Sequence, residues 1–294
     1  AADLVEEIAR IHGFDYLPIT ALPRTQVVSQ PAVNSAQLRP LQLRRALTEC
    51  GLMEAVTFSF LAPREATLFG GGAAALTLVN PISADLSVMR PSALPNLLQA
   101  AGRNQDRGEA DCALFEVGPV FLGDEPADQR TACAGIRHGH TAPREWHGQR
   151  RRVDVFDAKS DAEMALGVLG VRKASLQVDK SAPDYFHPGR SGVLMQGRTN
   201  LAGFGELHPN IASNFGLRGP VVGFELFLDD VPLAKAKGSA RSLLKMSAFQ
   251  PVNRDFAFVL DVDVAASELL RAVKSAAGSL LSDIHLFDVY QGKG

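Results

Sequence analysis

The chain has 294 residues, 46% of them hydrophobic, with 30 basic side chains against 32 acidic ones and a net charge of −2. That length allows one large domain, or one domain with part of another, and the even charge balance excludes a global basic field, so any RNA contact has to come from local patches. Cys50, Cys112 and Cys133 are odd in number and far apart, which excludes a disulfide framework; with no span-length apolar run and no leader-like start, a soluble, cytoplasmic protein is expected.

The first predicted element is a helix from residue 2 to Gly13, its stop, with Leu4, Val5, Ile8 and Ile11 at helical spacing and Asp3 as its candidate cap. Both ends read as cut: a helix opening at the second residue belongs to a larger unit, and the chain stops just after a strand-like run. Residues 14–34, with Pro18, Pro23 and Pro31, read as an extended connector. An amphipathic helix is expected over 35–50, carrying Leu38, Leu41, Leu43 and Leu47, tolerating Pro40 and closing at Gly51. The run E-A-V-T-F-S-F, 54–60, alternates like a half-buried strand. A short helix after Ala62, a strand over A-L-T-L-V-N-P and a strand edge at S-V-M-R-P-S follow. Ser92 is placed to cap the next helix, with Pro95 near its start. C-A-L-F-E-V-G-P-V-F-L is a strong strand signal. Residues 123–152 read as polar loop, and 153–170 as a strand followed by a helix. Strands broken by turns fill 174–228, with a short helix at 209–215. After a break at 236–253, the tail reads strand, helix, strand: one βαβ unit. Many strands with scattered helices indicate an α+β fold with a mostly antiparallel sheet.

Several stretches carry residues suited to chemistry. Asp3, Glu6 and Glu7 share one helical face, so their carboxylates point to a hard cation such as Mg²⁺, or simply to a solvated acidic face near a helix start. His138, His140 and His147 lie near Cys133, but the paired short spacings of a zinc site are missing, and exposed loop histidines fit better. The run Q-R-R-R, 149–152, reads as an RNA phosphate contact or as a solvated loop. Gly70-Gly71-Gly72 lacks the Lys-Ser/Thr of a phosphate cradle and reads as a flexible loop, and no serine stands in a nucleophile elbow. His187 and His208 are each followed by proline and flanked by glycines. A structural turn suits them better than a catalytic pair, because no carboxylate is placed to orient either ring.

Taken together, D-L-V-E-E-I-A-R-I-H-G-F, N-P-I-S-A-D-L-S-V-M-R-P-S-A-L-P, L-F-E-V-G-P-V-F, V-D-V-F-D-A-K, H-P-G-R-S-G, G-E-L-H-P-N, V-N-R-D-F-A-F-V-L-D and L-F-D-V-Y-Q-G resemble, in order and spacing, the β-subunit family of bacterial phenylalanyl-tRNA synthetases. The likeness runs over nearly the whole chain. Small departures are Asn96 after Pro95, where that family usually has glycine, and Ala158 and Ser160 around Lys159. The resemblance implies that 1–18 is the terminal helix of a preceding domain. It implies that 19–235 is a non-catalytic core of class II aminoacyl-tRNA synthetase type, an antiparallel sheet flanked by helices. Residues 248–294 would then be the first half of a ferredoxin-like anticodon-binding domain, a truncated βαβ unit.

The same resemblance implies a structural subunit of phenylalanine–tRNA ligase, which attaches phenylalanine to tRNA at the expense of ATP. Its partners would be a catalytic α subunit, in a heterotetramer of two α and two β, and tRNA(Phe), with no membrane. It implies that Asp3, Glu6 and Glu7 help bind Mg²⁺ at the junction with α, incompletely in this chain. In the α subunit a G-x-G-x-x-H-P stretch precedes a strand whose arginine clamps ATP. Here Gly203 to Pro209 resembles the first part, but the next strand brings Phe227 and Leu228, then Asp229 and Asp230, and no arginine before Arg241. Neither catalysis nor productive ATP binding is expected. In the tail, Phe256, Phe258, Phe287 and Tyr290 are available for stacking on bases, though alternation assigns Phe256 and Phe258 to a core. The rival readings are a free-standing RNA-binding module and a metal hydrolase built on His138, His140 and His147.

Overall fold

The computed structural model describes residues 1–21, 31–148, 150–233, 243, 247–290 and 292. The chain divides into two units, Ala1–Leu38 and Arg39–Gly294. The first holds α1 (Ala2–His12), whose apolar stripe of Leu4, Val5, Ile8 and Ile11 is exposed along its length. Gly13 ends it at φ 108°, a conformation that costs glycine no Cβ clash. The N-cap is Ala1, and Asp3 sits inside the first turn rather than capping it. Of the expected connector, Phe14–Tyr16 is a 3-10 turn, while residues 22–30, with Pro23, lie outside the described residues.

α2 (Ser35–Glu49) opens on a reciprocal cap in which Asn34 and Gln37 each accept the other's backbone N–H. In the second unit its Leu43 and Leu47, four apart, are fully buried. The alternating run at 54–60 does not form one strand. Only its ends find ladder partners, as β1 (Met53–Glu54) and β2 (Phe60–Leu61). α3 (Pro63–Leu68) follows, and Gly71 after it is closely packed: a Cβ there would meet Pro91 at 2.8 Å and the Ala66 carbonyl at 3.0 Å. The strand expected over 75–81 gives way to a 3-10 turn at Ala74–Leu76 and a single bridge from Thr77 to Val88 in β3 (Val88–Met89). α4 (Leu94–Asp106) and β4 (Cys112–Phe121) form where expected.

The polar stretch 123–152 contains an unexpected strand, β5 (Gln129–His138). Its inner residues, Ala132, Cys133, Ala134 and Gly135, are small, so neither alternation nor β-propensity marks them. They are small because the strand lies under bulky neighbours: a Cβ on Gly135 would come within 2.5 Å of the Phe224 ring. The strand expected at 153–156 is the opening of α5 (Val155–Val168). Asp154 accepts the Phe156 N–H at 2.8 Å and Asp157 accepts the Asp154 N–H at 2.8 Å, a capping box that commits the chain to helix. β6 (Gln177–Asp179), β7 (Phe186–Gln196), β8 (Thr199–Leu207), α6 (Pro209–Asn214) and β9 (Val221–Phe227) occupy the region read as broken strands. In the tail α7 (Ala266–Ala277) forms, but among the described residues 255–263 and 282–290 hold no strand, because neither stretch finds a ladder partner.

Among the described residues seven strands make one sheet in the order β1-β4-β5-β9-β8-β7-β6, with β1 parallel to β4 and the other pairs antiparallel. β2 and β3 pair apart from it. The α+β, mostly antiparallel expectation therefore holds. One face, carrying Phe115, Val117, Phe204, Val222 and Phe224, packs with buried residues of α2 and α5. The other, carrying Leu114, Ile136 and Leu207, packs with α4 and α6. Arg137 on β5 ties α5 down through a bidentate pair with Asp161 at 2.6 and 2.9 Å.

Candidate functional site

α1 places Asp3, Glu6 and Glu7 on one exposed face, as the i, i+3, i+4 spacing requires. Glu7 is held by Arg10 at 2.6 and 3.0 Å. Carboxylate oxygens are the donors that Mg²⁺ prefers, so the chemistry of the set fits. Yet among the described residues no group of three or more His, Cys, Asp or Glu side chains is placed to hold a metal ion.

The two His-Pro pairs make turns. His187 Nδ1 accepts the Gly189 N–H at 3.0 Å, and His208 Nδ1 accepts the Asn210 N–H at 3.2 Å as the cap of α6, with Pro209 in its first turn. Arg190 between them is engaged by Glu206 at 2.6 and 2.9 Å. At the end of β9, Leu228 is buried in the core and Phe227 packs against the α4 side. Asp229 accepts the Thr131 N–H at 2.9 Å and Asp230 binds Arg130 at 3.0 Å, so both carboxylates serve the fold. Arg241 lies outside the described residues.

The three histidines are scattered in role, and His138, buried at the end of β5, is not the exposed loop residue expected. His138 is buried, with Nε2 on the Arg218 carbonyl at 3.0 Å; His140 pairs with Asp111 at 2.9 Å; His147 lies 3.5 Å from Glu145. In the basic run, whose Gln149 lies outside the described residues, Arg150 is neutralised by Asp111 at 2.7 Å and Arg151 by Asp157 at 2.7 Å.

A buried ionic cluster on the α4 face escaped sequence reasoning. Arg90, 1% exposed, sends Nε to the Pro119 carbonyl at 2.8 Å and Nη1 to Thr57 Oγ1 and Glu116 Oε1, each at 2.9 Å. Thr57 in turn donates to Glu116 at 2.6 Å. Gly118 leaves room for the guanidinium, since a Cβ there would stand 2.8 Å from Arg90 Nη2. Nearby, Glu225 accepts from the Ser92 hydroxyl at 2.8 Å and the Ala93 N–H at 3.0 Å, at the start of α4. Ser92 thus stands just before the N-cap and also takes the Leu94 N–H at 3.1 Å. Burial pushes the Glu225 carboxyl from 4.5 up to about 7, against those hydrogen bonds and the Arg90 charge. The signal was present in F-E-V and F-E-L, glutamates in the middle of strongly apolar strands.

This cluster fixes a ribbon with an inverted pattern. Thr57 points inward, while Val56 and Phe58 on either side are 90% and 65% exposed. The ribbon is pinned by Ala55 N–H to the Phe115 carbonyl at 2.8 Å and by Asn96 Nδ2 to the Phe58 carbonyl at 3.1 Å. Met53, Val79 and Ile82 are further exposed apolar residues of this unit.

The family model described as phenylalanyl tRNA synthetase beta chain CLM domain matches residues 19–228. The chain belongs to this family. A second model, the ferredoxin-fold anticodon binding domain, matches 247–294. Phenylalanine–tRNA ligase beta subunits are 50% identical in Paramagnetospirillum magneticum and 49% in Rhodospirillum rubrum over 99% of this chain, and 46% in Bradyrhizobium diazoefficiens over 100% of it. The chain spans about a third of their length, 36%, 36% and 37% respectively. Two solved structures of pyrrolysyl-tRNA synthetase from Desulfitobacterium hafniense share the fold at TM-score 0.51. They are 16% and 18% identical and match 71% of this chain, covering 68% and 71% of their own. The sheet of this chain therefore has the fold of these tRNA synthetases. Among the described residues no helix is long and apolar enough to cross a membrane. In the anticodon-binding match, Phe256, Phe258, Phe287 and Tyr290 are exposed, and Phe256 and Phe258 stack at 6.3 Å; the core position expected for these two is not what the structure has. Among the described residues 255–263 stand outside any sheet, so no ladder partner brings a layer over them.

Proposed function

We propose that this chain is a structural, non-catalytic portion of the β subunit of phenylalanine–tRNA ligase. It docks on the catalytic α subunit, in a heterotetramer of two α and two β, and contributes to tRNA(Phe) anticodon binding in the whole enzyme, which attaches phenylalanine to tRNA with ATP in the cytoplasm. The organisation that goes with this reading is a terminal helix over 1–18, the synthetase-like core over 19–235 and the first half of a ferredoxin-like anticodon-binding domain over 248–294.

The observation that carries it is the inverted ribbon. Val56 and Phe58 face solvent while Thr57 is spent on a buried ion pair. Apolar groups held outward by a rigid anchor suit a protein partner. The ATP half of the reaction falls to the partner, because Asp229 and Asp230 are engaged within the fold and would repel phosphate. Asp3, Glu6 and Glu7 would supply part of an octahedral Mg²⁺ shell, with Glu7 shared with Arg10 and the remaining positions filled by water or by the partner. The ion would supply positive charge to bridge α1 to its neighbour.

The test is association of the chain with a phenylalanyl-tRNA synthetase α subunit by calorimetry, with Val56→Asp/Phe58→Asp as the control. Binding by the wild type that drops at least tenfold in the double variant is expected. Equal binding by both would remove the ribbon from the interface. Absence of α binding together with salt-sensitive tRNA binding by the chain alone would favour the free-standing RNA-binding module.

A further inference from the structure

The buried cluster carries an unbalanced charge. Glu116 on β4, Ala134 on β5 and Glu225 on β9 are consecutive partners across three strands. Both carboxylates therefore stand on the α4 face, two strand spacings or about 10 Å apart. Their residues are 4% and 6% exposed, and one guanidinium, that of Arg90, serves both: it contacts Glu116 at 2.9 Å and acts on Glu225 through its charge. The other groups facing Glu225 are the Ser92 hydroxyl and the Tyr185 phenol, and the phenol is driven further toward its neutral form; the Cys133 thiol, raised likewise, lies on the opposite face of the sheet. One positive charge against two negative ones in a dry site leaves an uncompensated carboxylate, which protonation removes.

We propose that Glu225 carries a proton in the folded chain, and that releasing it to solvent draws Arg90 toward Glu225 and slackens the grip of Arg90, Glu116 and Thr57 on the exposed Val56–Phe58 ribbon. Both ring-fence hydrogen bonds of Glu225 fall on Oε1, leaving Oε2 to hold the proton. Two routes lead from there to the ribbon. One runs through Arg90 to Thr57 Oγ1 at 2.9 Å. The other runs through the first turn of α4, where Ala93 binds Glu225 and Asn96 binds the Phe58 carbonyl at 3.1 Å. Burial sets the release near neutrality, since the Glu225 carboxyl is raised to about 7. The functional consequence, proton-linked control of partner docking, rests on the docking reading above; the movement of the ribbon does not.

The test reads the chain alone. Glu225→Gln keeps the acceptor and places an N–H where the proton would sit. Amide hydrogen exchange at Ala55 and Thr57 is compared between wild type and variant at pH 6 and pH 8, which cancels the intrinsic pH dependence. Equal protection at pH 6, with several-fold faster exchange in the wild type at pH 8, is expected. A wild-type-to-variant ratio unchanged between the two pH values would overturn the proposal while leaving the docking reading intact. Should the variant not fold, carboxyl-carbon NMR of the wild type decides: Glu225 and the Thr57 amide titrate together near neutrality, and a Glu225 carboxyl titrating in the ordinary carboxylate range would overturn it.

Discussion

At the scale of single residues, the buried charges govern most of what can be measured. Glu225 holds its proton more tightly in the folded chain than its ordinary 4.5, up to about 7. Its contribution to stability is therefore complete below pH 4.5, declines as pH rises to 7 and is constant above. Denaturant unfolding of wild type and Glu225→Gln across that window should show the wild type losing as much as about 3 kcal/mol relative to the variant; parallel curves would contradict the assignment. Glu116→Ala acts differently. It leaves the Arg90 guanidinium buried with its main counter-charge gone, and a loss of roughly 3–5 kcal/mol is expected by the same measurement. Glu116→Ala combined with Arg90→Met should recover part of it, because the uncompensated charge is then gone.

At the scale of elements, capping decides where helices start. Asp154 and Asp157 turn a segment with strand-like alternation into the first turn of α5, and Arg151 braces Asp157 at 2.7 Å. Asp154→Ala is expected to cost about 1 kcal/mol, a typical N-cap loss, with a fall in melting temperature as the readout. An unchanged temperature would mean that packing of Ala158, Ala162 and Ala165 holds the helix without its cap. β5 makes the opposite point: its small residues carry no propensity for strand, and its place comes from the partners β4 and β9 on either side.

At the scale of the whole molecule, the synthetase-like sheet serves packing. The turns at His187 and His208 cap their own backbones, and the end of β9 is filled by Leu228 with Asp229 and Asp230 bound to the fold. ATP with Mg²⁺ should leave the melting temperature of the chain unchanged at millimolar concentration; an upward shift would show a nucleotide site and sink the non-catalytic reading.

Local signals were enough for α1, α2, α4, α7 and β4, because helical spacing, glycine stops and apolar alternation act within a few residues of one another. The order and spacing of the sequence motifs also identified the family, and the alternating Val56 and Phe58 were visible as a pair. Which side of that pair faces water was not. Tertiary structure alone decided it, because Thr57 turns inward only when Arg90, 33 residues on, and Glu116, 59 residues on, arrive beside it. The same holds for Gly135 beneath Phe224 and for Glu225 above the first turn of α4. Burial and charge pairing are properties of neighbours brought together from distant parts of the chain, and one-dimensional periodicity does not contain them.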